Sequence, residues 1–254
     1  MSPGDTGGLP AVELRGVQKA FNGLHVLRGV DLAIQAGESL TIMGGSGTGK
    51  SVLLRLVIGL VKPDAGQILI EGQDIVPLSE RDLLRARRRV GMVFQNAALF
   101  DSLSVGENVA FALREHTDLD EAAIQARVSE ALELVGLAGI QGKEPADLSG
   151  GMRKRVAVAR AIALPPSILL YDEPTTGLDP ANVDKITDLI LDLKTKLGVT
   201  SVVVTHDMPS AFKVSDRLAM LHQGRIAAVG TPDEIQTRHD SLFSEFLEGR
   251  LPPR

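Results

Sequence analysis

Apolar and polar positions along the chain change period several times, and each change marks an element. Val12 to Val17 and Val26 to Ile34 carry roughly alternating apolar residues with Asn22-Gly23 between them, the pattern of paired strands joined by a turn. Ser39 to Met43 is a short apolar strand; a glycine-rich loop follows, and Lys50 to Leu60 is apolar enough to form a core-facing helix. Pro63 to Ile70 returns to turn and strand signals. Asp101 to Gly139 is mostly helical in pattern, with Ala122, Val128, Leu132 and Val135 spaced for one buried face. Ser167 to Tyr171 and Thr200 to Val204 are continuous apolar runs of strand length, as parallel strands covered on both faces require. Between them Val183, Ile186, Ile190, Leu193 and Leu197 recur at helical spacing until Gly198 stops the helix, which makes a βαβ crossover. The order predicts one interrupted α/β domain that opens with an antiparallel β layer.

Composition narrows the partners. A chain of 254 residues that is 44% hydrophobic can bury a sizeable core, and its net charge of -5 supplies no overall positive field for nucleic acid or anionic lipid. It has no cysteine, so a disulfide framework, a thiol nucleophile and a thiolate metal site are excluded. No run reaches the roughly eighteen apolar residues of a membrane-spanning helix; Ile162 to Tyr171 is broken by Pro165-Pro166. Residues 1–10 lack the basic start and apolar middle of a secretion signal and read as a flexible tail. Any membrane role is expected to be peripheral.

Gly44-Gly45-Ser46-Gly47-Thr48-Gly49-Lys50-Ser51 matches the phosphate-binding pattern G-x-x-x-x-G-K-[ST], between a strand and a helix where the mechanism needs it. The glycines let backbone N–H groups wrap the phosphates of ATP. Lys50 brings a positive charge to the β and γ phosphates, and the Ser51 hydroxyl can bind Mg²⁺. Asp172 and Glu173 end a buried strand, where a doubly wound sheet presents its ligand site. Adjacent acids can divide the labour there: Asp172 would hold Mg²⁺ through water, and Glu173 would polarise the attacking water. Arg85, Arg87, Arg88 and Arg89 read as a solvated helix face, and Arg153, Lys154 and Arg155 as the exposed side of a second helix.

With both motifs in place, Leu148-Ser149-Gly150-Gly151-Met152 resembles the LSGGQ signature of ABC transporter ATPases, and the resemblance runs from about Val12 to Gly230 with the motifs in the family's order. It implies a P-loop NTPase of the ABC ATPase type: a mixed sheet core, the N-terminal antiparallel layer and an inserted helical subdomain at about 96–145, all within 11–230, followed by a C-terminal helical tail over 231–254. By the same resemblance Phe21 stacks on adenine, Gln95 senses Mg²⁺ and the γ phosphate, Asp179 is the loop acid at a dimer seam, and His206 is the switch histidine. Ser149, Gly150 and Gly151 would donate to the γ phosphate held by a second copy. Read singly, Phe21 fits a core position, Gln95 a solvated strand end, His206 a structural histidine, and Asp179 before Pro180 a helix N-cap. Met152 stands where the family has glutamine and lacks its hydrogen bonds; Phe21 replaces the usual tyrosine and keeps the stacking face.

LSGGM is similar to the signature of ATPases in Mla-type lipid transporters, the group serving MCE-protein systems. Phe94 to Phe100, Leu113 to Thr117, and Phe246 to Gly249 point the same way. This resemblance implies a head-to-tail homodimer on the cytoplasmic face of the inner membrane, an MlaE-like permease, an MlaD-like MCE protein and an MlaB-like STAS-domain protein, with no nucleic acid. The alternatives are the ATPase of a small-solute importer, for example for amino acids, and a non-transport ABC protein. By the same resemblance the segment from Gln95 to Leu113 would receive the permease through Leu99, Phe100, Leu103 and Val105; apolar spacing alone fits equally a core role for these residues in the helical part.

Overall fold

The computed structural model describes residues 8–237, so most of the N-terminal tail, the chain beyond Thr237 and the segment Phe246 to Gly249 lie outside the described residues. Strands β1 (Val12–Phe21) and β2 (Leu24–Ile34) form an antiparallel hairpin. Its turn residues Asn22 and Gly23 both have positive φ (50° and 81°), the backbone that matches the twist of the flanking strands. Strand β3 (Ser39–Met43) is buried throughout and leads through the glycine-rich loop into α1 (Lys50–Val57). The expected helix to Leu60 stops early because Gly59 turns left-handed (φ 66°) and the Leu60 amide donates back to Arg55 O at 2.9 Å.

Next come β4 (Ala65–Ile70), β5 (Gln73–Asp74), α2 (Glu80–Arg87) and β6 (Val90–Val93). Helices α3 (Val105–His116) and α4 (Glu121–Leu134) follow, then a 3-10 turn at Pro145–Asp147 and α5 (Gly150–Ala163). The chain continues through β7 (Ile168–Asp172), α6 (Pro180–Leu197), β8 (Thr200–Val204), α7 (Met208–Val214), β9 (Arg217–His222), β10 (Arg225–Gly230) and α8 (Pro232–Thr237).

Among the described residues the strands make two sheets. The antiparallel sheet has the order β2-β1-β4-β5; the larger one has the order β10-β9-β3-β8-β7-β6, parallel except for β10 at its edge. Alternation along the central strands divides the core. Ile168, Leu170, Val202 and Val204 share one apolar cluster with α1 and the antiparallel sheet, while Leu169, Tyr171 and Val203 share another with α5 and α6.

Several expected faces shift by part of a turn. In α4 the buried stripe is Ile124, Val128, Ala131 and Leu132; Ala122 lies off that stripe and is exposed. Val105 is fully buried at the start of α3, so it cannot contribute to an exposed docking surface. Leu197 is 37% exposed where α6 runs past the core.

Strand register positions the site. Ile42 on β3 pairs with Val204 on β8, and Val204 pairs with Asp172 on β7. Val93 on β6 pairs with Tyr171. The glycine loop, Glu173, His206 and Gln95 therefore leave the sheet along one carboxyl edge, although they are far apart in the chain.

Candidate active site

The N-terminus of α1 differs from those of its neighbours. Helices α2, α3, α4, α5 and α6 are each capped by a side chain, from Ser79, Ser104, Asp120, Ser149 and Asp179 respectively. Helix α1 begins after Gly49 with no side-chain cap and no acid in its first turn, so its first amides remain open to an anion. Gly49 is required here: its φ is 103°, and a Cβ would lie 2.7 Å from Val26 Cγ1. The Lys50 ammonium is buried inside the loop and donates to Gly44 O (2.8 Å) and Gly45 O (3.0 Å). Burial pushes its pKa below the ordinary lysine value, against the opposing pull of Glu173 and Asp172. Thr48 closes the turn by donating to Gly45 O at 2.9 Å.

The Ser51 hydroxyl donates to Asp172 Oδ1 at 2.7 Å, so loop and strand end meet through two oxygen donors. Glu173 has a left-handed backbone (φ 50°), a conformation that costs a residue with a side chain about 1–3 kcal/mol. Glu173 Oε2 lies 2.8 Å from His206 Nδ1 and 3.1 Å from Thr176 Oγ1, which donates to it. A cavity of about 610 Å³ opens over the loop, lined by Gly44, Gly45, Ser46, Gly47, Gly49, Lys50 and Ser51 together with Val26, Val52, Gln95, Glu173 and His206. Uncapped amides, a buried ammonium, hydroxyl and carboxylate oxygens and a half-free carboxylate form a donor set that fits a nucleotide triphosphate with Mg²⁺, a hard cation that favours oxygen ligands.

Other expected site residues stand apart from this cavity. Ser149 is the N-cap of α5, accepting from Met152 N at 3.3 Å, and Gly150 and Gly151 form the first turn. A Cβ on Gly151 would meet Asn182 Oδ1 at 2.8 Å, and Asn182 Nδ2 donates to Asp179 Oδ2 at 2.6 Å. Asp179 also caps α6, and these amide bonds hold its carboxyl below the usual aspartate pKa. Phe21 stands at the hairpin tip, 43% exposed, with the Lys19 ammonium 5.2 Å from its ring centre.

Two basic clusters are only in part the solvated faces that the sequence pattern suggests: Arg85, Arg88, Arg89 and Arg153 are exposed, whereas Arg87 and Lys154 turn inward. Arg87 donates to Ile58 O and Gly59 O (both 2.9 Å) and so closes the end of α1. Lys154 is buried, and its ammonium donates to the backbone carbonyls of Gln95 and Glu173. Arg153 donates to Leu148 O, and Arg155 to Val135 O and Gly136 O. No sequence signal marks Lys154 apart from its nearness to the signature.

Residues 27–176 match the family model described as ABC transporter. The chain belongs to that family. Over 240 residues this ABC cassette is 42% identical to the probable ribonucleotide transport ATP-binding protein mkl of Mycobacterium leprae, across 94% of this chain and 69% of that protein. Over 238 residues it is 40% identical to the intermembrane phospholipid transport system ATP-binding protein MlaF of Escherichia coli K12, across 94% of this chain and 88% of MlaF. Its fold is similar to the dimeric post-hydrolysis structure of the ATP-binding cassette MJ0796 bound to ADP and Pi, with a TM-score of 0.80 and 34% identity over 87% of this chain and 98% of that one. Among the described residues of this ABC cassette no helix is long and apolar enough to cross a membrane.

Proposed function

We propose that the chain is the ATPase subunit of an ABC transporter that moves phospholipid between inner and outer membranes. The observation that carries the lipid reading is its likeness to E. coli MlaF over nearly the whole chain, joined by the methionine at Met152 of the signature. The cavity over the glycine loop supports ATP as the bound nucleotide. The loop amides and Lys50 bind the phosphates, and Phe21 stacks on adenine. Ser51, Asp172 and Gln95 would hold Mg²⁺, which when bound offsets the phosphate charge. Glu173 accepts a proton from the attacking water, and His206 orients the Glu173 carboxylate.

Within one chain the signature lies outside the loop cavity, which supports a head-to-tail dimer in which Ser149, Gly150 and Gly151 of one copy complete the site on the other. Asp179 would stand at that seam. A groove of about 350 Å³ between α3, α5 and β6, lined by Leu60, Phe94, Phe100, Phe111 and Arg160, suits an apolar segment of the permease at the cytoplasmic face. An MCE protein and a STAS-domain protein complete the proposed complex.

The test is reconstitution of the co-purified complex with fluorescent phospholipid. ATP-dependent lipid transfer that is absent from the Glu173→Gln complex supports the reading. Hydrolysis stimulated by a ribonucleotide or an amino acid, with no lipid movement, overturns it in favour of a small-solute importer.

A further inference from the structure

Helix α5 is tied to the catalytic edge by two cationic side chains that point inward rather than to solvent. Lys154, in its first turns, is only 6% exposed, and its ammonium donates to Gln95 O and to Glu173 O (3.3 Å). Farther along the helix, Arg160 donates to Ala97 O (3.0 Å) and Ala98 O (2.6 Å). Those carbonyls belong to a pair of alanines in the left-handed region (φ 61° and 51°), separated from Gln95 only by Asn96. The backbone that presents Gln95 is thus strained and clamped by α5, and the left-handed backbone at Glu173 is clamped by the same ammonium.

A buried ammonium is a costly way to satisfy two neutral carbonyls, because desolvation penalises the charge. Burial lowers the pKa of Lys154, while Glu173 and Asp172 pull it back. The ammonium sits against the backbone of Glu173 and Gln95 without lining the nucleotide cavity. The start of its helix is the signature, Ser149 to Met152, none of which lines that cavity.

We propose that Lys154 is a positioning residue that couples the signature helix to Gln95 and Glu173 at once, so that a group docking on the signature sets the alignment of both. The proposal rests on the reading above that these two groups act at the γ phosphate. A rigid link of this kind acts on turnover more than on nucleotide affinity, because misplacing a catalytic group by about 1 Å costs up to roughly 100-fold in rate.

The experiment uses the full chain in its co-purified transporter complex and compares Lys154→Met, Lys154→Arg and Glu173→Gln. Lys154→Met keeps the length of the stem and removes the donor. Its kcat should fall roughly 10- to 100-fold with KM for ATP within about twofold of wild type, and Lys154→Arg should restore most of the lost rate. Wild-type turnover in Lys154→Met overturns the proposal. So does a loss that Lys154→Arg fails to rescue and that comes with an equal rise in KM, the pattern of a merely structural residue. If the methionine variant does not fold, Lys154→Gln, a neutral donor, is judged by the same split between kcat and KM. Glu173→Gln separates the two ideas: if it keeps turnover, the assignment of the base fails and takes this proposal with it. If it loses turnover while Lys154→Met keeps it, the positioning role alone fails.

Discussion

The Glu173 carboxylate and the His206 imidazole lie 2.8 Å apart, Oε2 to Nδ1, across 33 positions of sequence, and one side of that carboxylate is therefore already engaged. Glu173→Gln keeps the shape and removes the proton acceptor. Turnover should fall by about 10²- to 10⁴-fold while ATP affinity stays near wild type, as checked by steady-state hydrolysis and a fluorescent-nucleotide titration. Hydrolysis within a fewfold of wild type would remove Glu173 from the role of base.

Lys50 has no substitute inside the loop. Lys50→Ala deletes a charge-assisted contact worth about 1.5–3 kcal/mol, so the Kd for ATP should rise roughly 10- to 100-fold. Unchanged binding by calorimetry would show that the phosphates sit elsewhere.

Ser149 tests the proposed assembly. In dimers built from one wild-type and one Ser149→Arg chain, the site on the partner's Lys50 should be disabled and the variant's own loop should remain competent. Site-specific photolabelling with an ATP analogue separates the two, and damage confined to the variant's own loop contradicts the head-to-tail arrangement.

Phe100 and Phe111 are 44% and 43% exposed with ring centres 4.9 Å apart, and both line the groove beside α5. Phe100→Glu or Phe111→Glu should leave ATP binding by the isolated chain intact and release the chain from its permease on co-purification. A variant complex that assembles and hydrolyses normally would place the docking surface elsewhere.

Gly91 on β6 has an ordinary backbone but no room for a side chain: a Cβ would lie 2.5 Å from Ala161 O and 2.6 Å from Leu169 Cδ2. Gly91→Ala should cost about 1–3 kcal/mol by forcing β6 from α5, read as a lower denaturant midpoint with an unchanged slope. Wild-type stability would mean that the strand and helix can separate without loss.

Elements written in local grammar were legible in the sequence by itself. Strands β3 and β8 run over the predicted residues because unbroken apolar runs of that length suit a strand buried on both faces. Helix α6 starts at Asp179-Pro180 and stops at Gly198 because capping and left-handed closure depend on the residues at the ends alone. The glycine loop before α1 is equally local, since its conformation follows from glycines that need positive φ. What the tertiary structure decided was contact between distant segments. His206 reaches Glu173 because β7 and β8 are neighbours in register, which no single window of sequence contains. The same holds for the cations: Lys154 and Arg87 look like any solvated lysine or arginine, because a long stem can reach water or fold inward. Only the packed backbone, with carbonyls of Gln95, Glu173, Ile58 and Gly59 within reach, selects the inward state.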